Sequence, residues 1–223
     1  PRLQGQEYIP WYAWYGGTQY SYKTAKLTPQ PNNAREFWNT GLTLNNSISL
    51  SKTTENASMR FSYGNIYIKG ILPSSSRKTN TLNFNSTVDF SKRLTLSTSI
   101  NYINQNTKGE FDDAYANQSS GSFNSWFHRD LDMGIVRELK DLKTPSGIYA
   151  SWNHNDPTVY GDAGDELAFL GGNYWYNFYS YFENIRNVNS NDRLYGDISL
   201  TYKITPDLRI KGTYRKQQNT TWN

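Results

Sequence analysis

The sequence predicts an all-β chain, an antiparallel transmembrane β-barrel segment of about six strands with long extracellular loops, one holding a short helix. Three observations predict it. Long stretches alternate apolar and polar residues with a period of two. The links between them alternate between tight and long, as periplasmic turns and extracellular loops do. The composition is aromatic without being greasy: aromatics make up 16% of the 223 residues, yet all hydrophobic residues together reach only 36%. A soluble core usually draws on roughly 45–50% apolar residues, and disordered chains are short of aromatics. A barrel wall needs apolar residues only at every second position, aromatics at two interfaces and polar residues toward a lumen.

Residues 1–40 read as an extracellular loop, with Trp11-Tyr12-Ala13-Trp14-Tyr15-Gly16-Gly17 dense in rings and Pro29, Pro31, Asn32 and Asn33 marking turns. Four strands are expected over 41–104. In the first, Leu42, Leu44, Ile48 and Leu50 alternate with Thr43, Asn45, Ser47 and Ser49. A turn from Lys52 to Asn56 follows. The second strand, 58–69, carries Met59, Phe61 and Tyr63 on one parity and Ile66 and Ile68 on the other, a slip that a bulge near Gly64 would explain. After a loop over 70–78, Leu82, Phe84, Val88 and Phe90 alternate with Asn83, Asn85, Thr87 and Asp89. Beyond the tight Ser91-Lys92 turn, Leu94, Leu96, Ile100 and Tyr102 alternate with Thr95, Ser97, Ser99 and Asn101.

Regularity then stops over 105–191, read as one long extracellular loop. Such a loop without structure of its own is rare in a compact soluble domain. Leu131, Ile135, Leu139 and Leu142 predict a short helix near 130–143, with Asp130 as its N-cap. Two more strands fill 192–216. Leu194, Ile198, Leu200 and Tyr202 alternate with Tyr195, Asp197, Ser199 and Thr201; after Thr205-Pro206-Asp207, Leu208, Ile210 and Tyr214 alternate with Arg209, Lys211, Thr213 and Arg215. Residues 217–223 read as the start of the next loop. Nine alternating residues span roughly 30 Å, the reach of a membrane strand, where strands of soluble sheets average about 5–6 residues. About six strands cannot close the smallest barrel of about 8. Together with Pro1 in place of an initiator Met, this predicts a partial chain.

The net charge of +4 and the lack of any basic run exclude nucleic acid as an expected partner. No cysteine is present, so disulfides and thiolate metal sites are excluded. No apolar run is long enough for a helical membrane span.

Particular segments resemble one family. Thr40-Gly41-Leu42-Thr43 with Asn45-Asn46-Ser47-Ile48-Ser49-Leu50-Ser51, Arg60-Phe61-Ser62-Tyr63, Lys69-Gly70-Ile71-Leu72-Pro73 and the Asn83/Asn85 strand with Arg77 before it are similar, in that order, to SusC/RagA-like TonB-dependent outer-membrane transporters. Arg129-Asp130-Leu131-Asp132-Met133 is similar to their loop helix, Asn173-Tyr174-Trp175 to their Asn-Pro-Tyr-Trp motif, and Asp192-Arg193-Leu194-Tyr195-Gly196 to the next strand. Two departures are the missing proline in the second of these motifs and Ser51-Lys52 where Gly-Gly is commoner. The resemblance implies a barrel of roughly 22 strands that imports oligosaccharides or peptides across the outer membrane of a Gram-negative bacterium. It also implies a SusD-like surface lipoprotein as lid, and TonB contact through an N-terminal region outside this sequence.

Candidate substrate-binding residues are the loop aromatics Trp11, Tyr12, Trp14, Tyr15, Trp126, Trp152, Tyr174 and Trp175, whose faces suit the CH surfaces of sugars and side chains. The same residues would serve to pack a folded loop, and Tyr174-Trp175 to mark a membrane interface. Leu82, Phe84, Val88, Phe90, Leu94, Leu96, Ile100, Ile198 and Leu200 are the expected lipid-facing wall, with Asn83, Asn85, Asp197, Arg209 and Lys211 toward the lumen. His154 with Asp156, Asp162, Asp165 and Glu166 lacks EF-hand spacing, and His128 reads as structural. No metal, cofactor, nucleophile motif or catalytic pair is expected, so the chain is read as no enzyme. The alternative reading is a soluble β-sandwich carbohydrate-binding module; a secreted hydrolase is the weakest of the three.

Overall fold

The computed structural model describes residues 5–109, 128–154, 177–184 and 187–222. In chain order the elements are β1 (Glu7–Tyr8), a 3₁₀ turn (Trp11–Trp14), β2 (Ala25–Lys26), α1 (Asn33–Phe37), β3 (Leu42–Thr53), β4 (Ala57–Lys69), β5 (Ser76–Asp89), β6 (Leu94–Lys108), α2 (Met133–Glu138), α3 (Phe178–Asn184), β7 (Val188–Lys203) and β8 (Arg209–Trp222). The chain divides into two compact units. None of the described helices is long and apolar enough to cross a membrane, which says nothing of crossing by strands.

One unit is a single antiparallel sheet in the order β3-β4-β5-β6-β7-β8, each strand pairing with its sequence neighbour. Its strands are 12 to 16 residues long, twice the common length in soluble sheets. Because side chains alternate, the register sorts them into two faces. On one lie Leu50, Phe61, Phe84 and Ile100 in one row across β3 to β6, and Val88, Leu96 and Leu200 in another. On the opposite face Ser49, Ser62, Asn83, Asn101 and Tyr195 stand in one row, and Thr87, Ser97 and Ser199 in another. All of Leu82, Phe84, Val88, Phe90, Leu94, Leu96, Ile100, Ile198 and Leu200 share the apolar face, and Phe90, Ile198 and Leu200 are well exposed there.

A polar row crosses the apolar face. Asn46, Asn65, Asn80, Asn104, Asp192 and Thr220 form one row across all six strands. Asn65 Nδ2 donates to Asn80 Oδ1 at 2.7 Å, Asn80 Nδ2 to Asn104 Oδ1 at 3.3 Å, and Asn104 Nδ2 to Asp192 Oδ1 at 2.8 Å. The hydroxyls of Tyr63 and Tyr102, one row nearer the tight turns, donate into the same ladder at 2.9 and 2.7 Å.

Three readings of this sheet change. No bulge occurs at Gly64: the β3–β4 and β4–β5 registers run unbroken through Ser47↔Gly64 and Gly64↔Thr81. Ile66 and Ile68 therefore lie on the polar face and Asn65 and Tyr67 on the apolar one. An unbroken ladder keeps its backbone hydrogen bonds, and two half-exposed isoleucines on a Thr-rich surface cost less than losing them. Residues 217–222 continue β8 rather than open a loop, since Ser190↔Trp222 extends the β7 ladder. Alternation fades there because Gln217 to Thr221 put polar residues on both faces of β8. For the same reason β6 runs on to Lys108 and β7 begins at Val188.

The other unit gathers 1–40, 71–74 and 109–186. The stretches read as separate loops thus share a core of Phe37, Leu131, Met133, Val136, Trp152, Phe178, Tyr179 and Phe182. Phe37 holds its centre, with ring centroids 5.6–5.8 Å from those of Phe178, Tyr179 and Phe182. The predicted helix is short, Met133–Glu138, and its N-cap is Asp132 rather than Asp130: Oδ1 accepts from Gly134 N at 2.8 Å and Ile135 N at 3.2 Å. Leu131 is buried before the helix starts, which puts Asp132 at the boundary.

Candidate functional site

The α-containing unit holds a cleft of about 320 Å³. Four short segments build it. β1 supplies Tyr8, and the 3₁₀ turn that follows supplies Trp11 and Tyr12. β2, paired with β1 through Tyr8↔Ala25, supplies Ala25 and Lys26, and the chain beyond it Thr28 and Gln30. The α2 approach gives His128, Asp130, Leu131, Asp132 and Ile135, and Trp152 closes the wall. Asn33 of α1 fixes that approach: its Nδ2 donates to the carbonyls of His128 at 2.9 Å and Leu131 at 3.2 Å. Gln30 N donates to Arg129 O at 3.1 Å, tying the β2 side to the same segment.

The rings form an edge-to-face set. Trp11 meets Tyr12 at 5.6 Å and Tyr15 at 6.1 Å, and His128 meets Trp152 at 5.1 Å. Such contacts lock Trp11 and Trp152 in place beside the cleft. Tyr15 stands behind, buried, its hydroxyl donating to Ser151 O at 3.3 Å and accepting from Ser151 N at 3.0 Å.

Electrostatically the cleft favours neutral phenols beside carboxylates. Burial, then Tyr12, then the negative charges of Asp130 and Asp132 push the Tyr8 phenol up to about 12. Burial and Asp132 raise Tyr12 as well. Both hydroxyls stay protonated donors throughout ordinary pH. Asp130 is exposed and its carboxylate accepts no hydrogen bond among the described residues, whereas Asp132 is engaged as helix cap. Flat rings for stacking, phenol donors, carboxylate acceptors and one ammonium, Lys26, can together hold a hydroxyl-rich or amide-rich chain.

Of the aromatics expected to bind, Trp11, Tyr12 and Trp152 line this cleft. Trp14 does not line it, and Tyr15 supports it from behind by packing, the role named as the alternative. Trp126, Tyr174 and Trp175 lie outside the described residues, as do Asp156, Asp162, Asp165 and Glu166. Asn83, Asn85, Asp197, Arg209 and Lys211 share the polar face of the sheet and belong to the other unit. The sequence reading missed Tyr8, Lys26, Gln30, His128, Asp130 and Asp132 as cleft residues. The available signal was the pair of aspartates flanking Leu131 directly after His128. A scan of protein-family models finds no match to this chain, and a search of curated proteins finds no relative.

Proposed function

We propose that this chain is part of a SusC/RagA-like TonB-dependent importer, its sheet a stretch of outer-membrane barrel wall and its cleft a contact for an oligosaccharide or peptide. The carrying observation is the apolar face, bounded by a row of polar side chains and backed by a face of Ser, Thr and Asn. Asn80 to Phe90 covers about 33 Å of extended strand. At a tilt of about 40° this is roughly 25 Å of height, the apolar band of a membrane barrel. Tyr63, Tyr67 and Tyr102 flank the asparagine row, where a membrane wall carries its aromatic girdle.

Two further features support the reading. β3 and β8 each pair on one side only, leaving long open edges that a closed barrel would remove. The links β3–β4, β5–β6 and β7–β8, over 54–56, 90–93 and 204–208, all lie at one end of the sheet, while the six-residue 70–75 link and the long segment between β6 and β7 leave from the other. A soluble sandwich would instead need a second sheet, and among the described residues the one other sheet is the β1–β2 pair. In this account solute is caught between the loop unit and a SusD-like lid, then passes when TonB displaces a plug.

Fractionation of the full-length protein in its own cells tests the proposal. It should sediment with the outer membrane, resist carbonate extraction, bring a surface lipoprotein with it, and be required for uptake of one oligosaccharide or peptide. Recovery as a soluble species in plain buffer would overturn it.

A further inference from the structure

Beyond the asparagine row, the same face carries three lysines on its middle strands, flanked by apolar residues on the outer ones. Lys69, Ser76 and Lys108 form the middle of a row that runs from Leu42 to Val188, and Lys78 lies in the adjacent row between Tyr67 and Asn106, with Leu44 and Trp222 at its ends. With strands about 4.8 Å apart, the Cα atoms of Lys69 and Lys108 are about 10 Å apart, and Lys78 is about 7 Å along the strand from Ser76. All three side chains are exposed, and none forms an ion pair among the described residues. Neither row holds a carboxylate. The one acid on this face of the strands, Asp192, is already engaged by Tyr102 and Asn104.

We propose that Lys69, Lys78 and Lys108 dock the phosphate of a membrane lipid whose acyl chains lie along the adjoining apolar rows. The inference rests on the barrel-wall reading. Its own argument is the succession, on one face of β4 to β6, of apolar rows, a hydrogen-bonding amide row and a cluster of ammonium groups without a carboxylate beside them, with Leu42, Leu44, Val188 and Trp222 continuing the apolar surface on either side. A ligand matching that order has a greasy body and an anionic head. A soluble anion would have no use for the apolar rows, and a second copy of this face would bring like charge to like charge. Lysine stems can lie along the Tyr67 end of the band while their ammonium groups reach the head-group level. The Ser76 hydroxyl and the second N–H of Asn106 Nδ2, whose first donates to Asn104 Oδ1 at 2.9 Å, can bond the remaining phosphate oxygens.

The test uses the full-length protein purified from outer membranes in detergent. The probe is a bis-phosphorylated glycolipid of the lipid A class, beside its dephosphorylated form and inorganic phosphate. Each lysine near a lipid surface is worth about a 5-fold gain in affinity, so Lys69→Gln, Lys78→Gln and Lys108→Gln together should weaken retention about 100-fold. Arginine at the three positions should restore it. Dephosphorylated lipid should bind the wild type no better than the triple variant, and inorganic phosphate should not compete at equal concentration. Undiminished retention by the glutamine variant, equal binding of dephosphorylated lipid, or competition by inorganic phosphate would each overturn the proposal. Membrane sedimentation separates the two levels. A membrane-bound protein indifferent to the lysines ends this inference alone, whereas a soluble wild type ends the wall reading too.

Discussion

Replacing Phe84 by arginine sets the two faces of the sheet against each other. Phe84 stands between Phe61 and Ile100 on the apolar face. It lies four residues from the Asn80 row, which is about 13 Å of strand and roughly 10 Å of height at a tilt of about 40°. In the proposed membrane wall, with a band about 25 Å tall, this is close to the midplane, where an arginine costs about 2–4 kcal/mol. That is roughly a 30- to 1000-fold shift in the folding equilibrium. The control is Asn83→Arg, on the polar face between Ser62 and Asn101. It gives up only a 3.3 Å contact to Ser62 Oγ and should stay within about 0.5 kcal/mol of the wild type. Asn85 is a poorer control because Arg60 stands directly across from it. The assay is denaturant unfolding of the full-length protein in lipid vesicles, followed by tryptophan fluorescence. Equal midpoints for the two variants would refute the assignment of faces.

Three more outcomes are expected. A Cβ on Gly196 would sit 2.2 Å from Ser99 O and 3.0 Å from Ile100 Cα, both backbone atoms. Gly196→Val should therefore break the β6–β7 ladder and lower membrane yield sharply, while Gly212→Ala, with open space around it, should not. Tyr15 is held neutral by burial, its phenol raised from 10.0 to about 12. Below pH 10 neither folded nor unfolded chain loses that proton; between pH 10 and about 12 only the unfolded chain does, so stability falls by about 2–3 kcal/mol across that window. Tyr15→Phe should flatten this slope in alkaline unfolding monitored by circular dichroism, and an unchanged slope would remove Tyr15 as its cause. If the cleft holds an oligosaccharide or peptide as proposed, Trp11→Ala should weaken its retention about 2- to 10-fold in calorimetry, and Trp14→Ala should leave it unchanged.

The faces of the sheet were legible because period-two alternation is a local property. Leu82 to Phe90 and Leu94 to Tyr102 need no distant residue to declare their sides. Alternation misled at Ile66 and Ile68, where it treats every apolar residue as facing one way. The continuous ladder through Gly64 outweighs two isoleucines, so backbone hydrogen bonding overrode pattern. Asp130 and Asp132 both suit an N-cap, and only the burial of Leu131 between them decides. The loop unit was the least legible part. Its core joins Phe37 to Phe178, and Tyr15 to Ser151, across more than a hundred residues of chain. No periodicity encodes such contacts. The sequence marked Trp11, Tyr12 and Trp152 as binding candidates by ring chemistry, but which rings line the cleft and which support it depends on that packing. Polar members such as Lys26 and Gln30 carry no signal apart from it.

Spin-label accessibility along β5 tests the central claim most directly. The chain has no cysteine, so each single substitution from Asn80 to Phe90 places one label in this stretch of the full-length protein, reconstituted in lipid with any cysteine elsewhere replaced by serine. Collision rates with oxygen, which partitions into lipid, should peak at Leu82, Phe84 and Val88. Collisions with a water-soluble nickel chelate should peak at Thr81, Asn83, Asn85 and Thr87, and the oxygen peaks should fade at Asn80. Uniform access of the nickel chelate to both sets would contradict a wall with lipid on one face and water on the other.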